Sequence, residues 1–294
     1  MDVREGSVSL DLDGETAETW YRITGDLDPG DEQRPAPLVV LHGGPGAAHD
    51  YLLSLGDLAE GGRAVIHDQV GNGRSTHFTG RNGDFWTVEL FVRELHNLVD
   101  AFGLRPRHHV LGQSWGGFLA QEYAFTQPRG LRSLVLADTA ASFPDFVAEA
   151  NRLRAELPPE VEATLRRHEE NGTTDEPDYG EACLVFYRRH VCRLDPWPPE
   201  LEEGFAWIER DPTVYHTMNG PSEFHVIGSI KEWQSKDRLD SIDVPTLLAR
   251  GGTTRRRRRC RRRCATVSAV PNGSSSRSRR TARTSKSGSA TCRS

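Results

Sequence analysis

A chain of 294 residues is long enough to bury a large core, and one α/β domain carrying an insertion fits it better than two equal domains. The net charge of −5 hides a division: residues 1–250 hold 23 Lys and Arg against all 42 Asp and Glu, whereas residues 251–294 hold 14 Lys and Arg and no acid. No apolar signal-type stretch follows Met1-Asp2-Val3-Arg4-Glu5 and no run of about 18 apolar residues occurs, so no spanning helix and a cytoplasmic body are expected. Five irregularly spaced cysteines exclude a disulfide framework, and Cys260 with Cys264 lacks the partner ligands of a zinc site.

Ser7 to Asp13 alternates polar and apolar residues, Gly14 turns, and Thr19 to Thr24 alternates again, which predicts an antiparallel hairpin. After a polar loop, Leu38-Val39-Val40-Leu41 is a continuous apolar run suited to a strand covered on both faces. It runs into His42-Gly43-Gly44-Pro45-Gly46, where paired glycines leave backbone N–H groups free to point into a cleft. Gly43 and Gly44 are therefore candidates for one half of an oxyanion hole. His49 to Glu60 has helical spacing, and Ala64 to His67 reads as a strand leading into Asp68-Gln69-Val70-Gly71-Asn72-Gly73-Arg74-Ser75. That segment lacks the Lys-Ser/Thr ending of a phosphate loop and has the wrong glycine spacing for a dinucleotide fingerprint. Thr87 to Phe102 is the strongest amphipathic helix of the chain, with Val88, Phe91, Leu95, Leu98, Val99 and Phe102 on one face and Gly103 as its stop.

The stretch His109-Val110-Leu111-Gly112-Gln113-Ser114-Trp115-Gly116-Gly117 reads as a nucleophile elbow. An apolar strand enters, the chain turns on Ser114, and Gly117 to Ala124 leaves with helical spacing. A Cβ at Gly112 or Gly116 would collide with the neighbouring strand or helix, so the glycines carry the turn. Ser114 is the candidate nucleophile, and the N–H of Trp115 is the candidate second half of the oxyanion hole. A further buried strand is predicted from Leu131 to Ala137. From Ala141 to Arg238 the pattern changes to helices broken by prolines with no intervening strand, which reads as a helical lid; sheet character resumes at Val244 to Ala249. The expected organisation is a first part of the core over 1–140, a lid over 141–238, the core again over 239–250 and an Arg/Ser-rich tail over 251–294.

Four stretches in this order, His42-Gly43-Gly44-Pro45-Gly46, Asp68-Gln69-x-Gly71-x-Gly73-x-Ser75, Gly112-Gln113-Ser114-Trp115-Gly116-Gly117 and Met218-Asn219-Gly220-Pro221-Ser222-Glu223-Phe224, resemble the proline iminopeptidases of the α/β-hydrolase class. The resemblance covers residues 8 to 250, with Val70 standing where the family commonly has arginine. It implies a mostly parallel sheet flanked by helices, and hydrolysis of an N-terminal amino acid, usually proline, from small peptides or amides without metal or organic cofactor. Similar relatives act as amino-acid amidases, which leaves the leaving group open. The resemblance also implies that Glu223 holds the free α-amino group of the substrate, and a shielded carboxylate suits a cation. Trp115 is expected to line the pocket as well, with a place in the core as the alternative.

In this fold the partners of the nucleophile follow it in the order Ser, Asp or Glu, His. Here all eleven histidines lie at or before His225 and no acid lies beyond Asp243. The family's acid would fall at about Thr254, where the chain reads Gly251-Gly252-Thr253-Thr254-Arg255-Arg256-Arg257. The residues from 251 onward hold 13 arginines and no Leu, Ile, Phe, Trp or Tyr, so the sequence predicts that the last strand and helix are missing. If Thr253-Thr254-Arg255-Arg256-Arg257 is encoded ACG ACG AGG CGA CGx, reading one base earlier on a G gives Asp-Asp-Glu-Ala-Thr, which resembles the family's acid segment, so the tail is expected to be a shifted-frame product. An arginine-rich arm for nucleic acid is the competing account, disfavoured because the tail has no interleaved aromatic residues. His225 is a remote substitute for the base, since a base must reach Ser114 within hydrogen-bond distance.

Overall fold

The computed structural model describes residues 2–28, 33–59, 63–251 and 264–268. The alternating stretches form β1 (Val3–Leu12) and β2 (Glu15–Thr24), an antiparallel hairpin closed at Asp13-Gly14. β2 pairs antiparallel with β4 (Ala64–His67), and β4 pairs parallel with β3 (Leu38–Leu41). From β3 the sheet continues in parallel through β5 (His108–Gln113), β6 (Leu131–Ala137) and β7 (Thr246–Arg250). The spatial order is β1-β2-β4-β3-β5-β6-β7-β8, with β8 at Cys264–Ser268.

β3 illustrates why an uninterrupted apolar run becomes a central strand. Val39 and Leu41 face one side of the sheet and pack in the main core with α1 (Val88–Ala101) and α2 (Trp115–Phe125). Val40 faces the other side and packs with Leu52, Ile66 and Leu111. Side chains alternate across a strand, so two buried faces require apolar residues at every position. α1 begins where Thr87 Oγ1 accepts the Leu90 N–H at 3.2 Å and stops at Gly103 with φ 65°.

One local feature departs from the sequence expectation. The segment after His49 is a 3₁₀ helix, Asp50–Ala59, rather than an α-helix. Leu52, Leu55 and Leu58 recur at every third residue, a spacing that suits three residues per turn. Past Arg250 the backbone of β8 pairs in parallel with β7 from Thr246↔Cys264 to Arg250↔Ser268. An open strand edge is a row of unpaired N–H and C=O groups, and pairing along it needs main chain rather than apolar side chains. The expected triad-acid position near Thr254 and the rest of the arginine-rich tail lie outside the described residues.

Between β6 and β7 lie α3 (Phe143–Arg154), α4 (Pro159–Asn171), α5 (Pro177–His190), α6 (Pro199–Arg210) and α7 (Thr213–Met218), with no strand among them. A second apolar cluster, including Leu165, Tyr179, Phe186 and Phe224, holds this helical layer together. Polar ties join it to the segments beside the sheet: Trp207 Nε1 donates to Asp50 Oδ2 at 3.1 Å, and His77 Nδ1 meets Asp211 Oδ2 at 2.5 Å. No helix among the described residues is long and apolar enough to cross a membrane.

Candidate active site

β5 carries the chain to the C-terminal edge of the sheet, and Ser114 follows it at φ 52° and ψ −120°. A non-glycine residue held there stores about 1–3 kcal/mol of backbone strain, which the surroundings must impose. The surroundings are close packed: a Cβ at Gly112 would lie 2.0 Å from the Gly116 carbonyl oxygen, and one at Gly116 would lie 2.2 Å from that of Leu41. Ser114 N–H donates to Ala137 O at 2.9 Å and Gly117 N–H donates to Ser114 O at 2.8 Å, which fixes the turn. The predicted elbow is therefore present in shape. Ser114 Oγ makes no hydrogen bond to another side chain among the described residues.

The two predicted sources of oxyanion donors lie beside it, and the structure divides them. Gly43 N–H donates to Tyr51 Oη at 2.6 Å, and Tyr51 Oη donates in turn to Gln113 Oε1 at 2.7 Å. Gly43 is thereby committed, a correction to its expected role as a donor to substrate. Gly44 N–H and Trp115 N–H make no hydrogen bond among the described residues; the latter is one of the unpaired N–H groups at the first turn of α2. Burial pushes the Tyr51 phenol above its ordinary range, with the Glu223 charge adding to it, so the bridging hydroxyl stays neutral.

The Trp115 indole does not line the cleft, which corrects the first of its two expected placements. It is 1 % exposed, packs edge-on against Phe91 and donates through Nε1 to Gln69 Oε1 at 2.9 Å. Gln69 also donates through Nε2 to His42 O, and its backbone N–H donates to His42 Nε2 at 3.0 Å. Since Gly43 O can only accept, the proton of His42 sits on Nδ1, which lies 2.9 Å from it. His42 is thus neutral and fully used, and burial holds it below the ordinary histidine range. These bonds give the Asp68-to-Ser75 segment a task that its sequence does not reveal: it ties the Gly43-Gly44 loop to the elbow. Asp68 accepts from His49 N, His49 Nδ1 and Arg74 N at 2.8, 2.8 and 2.9 Å. Burial pushes its carboxyl upward, but the bonds from His49 and Arg74 outweigh it and hold the group below the usual carboxylate range.

Ser114 opens into a cleft of about 1980 Å³ between the sheet edge and the helical layer. Gly43, Gly44, Tyr51, Tyr215 and Glu223 line the same cleft. Glu223 follows the short helix α7 and accepts from Tyr215 Oη at 3.0 Å. Burial pushes its carboxyl up to about 7, against the opposing hydrogen bond from Tyr215. His190 is the one histidine among the described residues lining the cleft, on its helical wall. His225 lies instead on the far side of the loop, 4.0 Å from Glu169, and lines a separate depression. Asp138, at the end of β6 with φ 44°, lines the cleft floor and accepts the Gly251 N–H at 2.9 Å.

Comparison with known proteins agrees with this geometry. Residues 36–255 match the family model described as the alpha/beta hydrolase fold. A proline iminopeptidase of Thermoplasma volcanium is 38% identical over 221 residues, covering 75% of this chain and 74% of that protein. One from Lactobacillus helveticus is 37% identical over 239 residues, covering 80% and 78%. Among solved structures, VinJ is similar with a TM-score of 0.78 at 48% identity, covering 84% of this chain and 81% of that one. The proline iminopeptidase of Mycobacterium smegmatis is similar with a TM-score of 0.72 at 45% identity and the same coverage.

Proposed function

Since the chain belongs to the α/β-hydrolase family and, within it, to the proline iminopeptidases, we propose that it binds the N-terminal residue of a peptide or amide, proline by preference, and cleaves it off through an acyl-enzyme at Ser114. The observation that carries this reading is that Ser114, Gly44 and Glu223 line one cleft. Glu223 holds the substrate's ammonium group, and the requirement for a free amine is what separates an aminopeptidase from a general acyl hydrolase. Ser114 Oγ attacks the carbonyl of the same residue. The N–H groups of Gly44 and Trp115 receive the developing oxyanion, and the leaving amine departs with a proton.

The step this chain does not supply is proton transfer. No acid follows Asp243 and no histidine follows His225, so the acid after β7 and the histidine beyond it, where the family pattern puts the partners of the nucleophile, are absent from the 294 residues. Recognition and the oxyanion hole remain, and turnover falls by about 10⁴ to 10⁶ relative to an intact relative. The tail beyond Gly251 we read as a shifted frame. Resequencing the DNA across codons 245 to 260 tests that, and an intact frame with no downstream histidine codon in any frame refutes it. The missing acid and base also favour a second reading, a hydrolase scaffold that binds an amine or peptide without turnover. Release of proline from a prolyl amide above the uncatalysed rate, with Ser114 trapped by a serine-reactive phosphonate, supports the enzyme. Amine binding with no release above the uncatalysed rate supports the scaffold.

A further inference from the structure

Glu223 sits on a short loop; its carboxylate accepts from Tyr215 Oη at 3.0 Å, and both of its neighbours are anchored as well. Ser222 Oγ lies 3.1 Å from Tyr179 Oη, and Ser222 O accepts from Asn219 Nδ2 at 3.1 Å. The Phe224 carbonyl accepts from Asn151 Nδ2 at 2.9 Å. The Phe224 ring, 2 % exposed, meets Phe186 edge-on at 4.9 Å and lies under the Arg154 guanidinium, whose carbon is 4.9 Å from the ring centre. Arg154 is itself buried at the end of α3. Its Nε donates to Glu162 Oε2 at 2.7 Å, and its Nη1 donates to both oxygens of Glu169 at 2.7 and 2.8 Å. Glu169 accepts in addition from Tyr179 Oη at 3.1 Å. One connected set of bonds from α3, α4 and α5 therefore reaches the residues on both sides of Glu223.

A buried guanidinium is costly to desolvate and is retained only where its geometry is fully used. Here the planar fork meets two carboxylates while its face covers an aromatic ring, a combination that arginine can make and lysine can make only in part. Fixing the Phe224 ring and carbonyl fixes the backbone that aims the adjacent Glu223 side chain into the cleft. We propose that Arg154 is a positioning residue for substrate recognition: it sets the direction of the Glu223 carboxylate through Phe224 without touching substrate. This inference rests on the assignment of Glu223 to the substrate ammonium.

The test is calorimetric binding of L-prolinamide to the full chain at pH 7.5, with the folded fraction counted by circular dichroism. Arg154→Met is expected to weaken binding per folded molecule about tenfold, because a displacement of about an ångström at an orienting group is enough to lose such contacts. Arg154→Lys recovers part of the loss. Asn151→Ala, which releases the Phe224 carbonyl from an exposed position, weakens binding in the same direction and keeps the test decisive if Arg154→Met does not fold. A role confined to stability lowers the melting temperature of these variants and leaves the affinity of folded molecules unchanged; that result overturns the proposal. Unaltered affinity in Glu223→Gln, or no binding by the wild-type chain, instead overturns the assignment of Glu223.

Discussion

Replacing Glu223 by glutamine keeps the shape of the cleft wall and removes the one charge assigned to the substrate amine, so its consequence can be worked in numbers. A hydrogen bond to a charged partner contributes about 1.5–3 kcal/mol, and 1.4 kcal/mol is a factor of ten, so affinity for L-prolinamide is expected to fall about 10- to 150-fold. The pH dependence is sharper evidence. The carboxyl is pushed up to about 7, so it is about one-tenth ionised at pH 6 and about nine-tenths at pH 8. Apparent affinity scales with the competent fraction, and it therefore rises about tenfold across that interval. Above about pH 8 the ligand's own amine loses its proton and affinity falls again. The wild-type profile is a bell whose acid limb belongs to Glu223, and Glu223→Gln removes that limb while keeping the alkaline one. Titration calorimetry at half-unit steps from pH 5.5 to 9 measures both. An acid limb that persists in Glu223→Gln, or binding within twofold of wild type at pH 8, refutes the reasoning.

Gly116→Ala places a Cβ 2.2 Å from the Leu41 carbonyl oxygen, and two packed backbones must separate to admit it; a loss of about 3 kcal/mol or more is expected by urea denaturation, at the upper end for overpacking. Tyr51→Phe strands the Gly43 N–H and Gln113 Oε1, so unfolding is expected to become easier by about 1–3 kcal/mol. Glu94 is 1 % exposed and accepts from Thr19 Oγ1 and Val70 N–H, its Oε2 has no partner among the described residues, and burial pushes its carboxyl up to about 8. Between about pH 4.5 and 8 the unfolded chain has released a proton that the folded chain keeps, so the stability carried by this group is whole below pH 4.5 and is lost as pH rises through 8. Glu94→Gln is accordingly expected to match wild type at pH 5 and exceed it at pH 8.5 in chemical denaturation, and equal differences at both pH values would contradict this.

The sheet and the elbow were legible because local sterics determine them. Only an apolar run such as Leu38 to Leu41 survives burial on both faces, and only glycine fits at 112 and 116 beside the Gly116 and Leu41 carbonyls. The site was legible to the extent that its residues lie inside such motifs: Ser114, Gly44 and Glu223 share the cleft. What the sequence did not reveal depends on contacts between distant segments. Gly43 and Gly44 are adjacent and chemically alike, and only the 3₁₀ helix that brings Tyr51 over one of them decides which N–H is free. Trp115 next to the nucleophile suits a pocket wall as well as a core, and its partner Gln69 lies 46 residues away. Arg154 on an amphipathic helix reads as a solvated charge until Glu162, Glu169 and Phe224 surround it.

The most direct test of the account is the rate at which the 294-residue chain, its tail verified by mass, releases proline from L-prolyl anilide. The account predicts a kcat about 10⁴ to 10⁶ below that of an intact relative, with little further loss in Ser114→Ala because the residual rate rests on binding and the oxyanion hole. A kcat equal to that of an intact relative would contradict it.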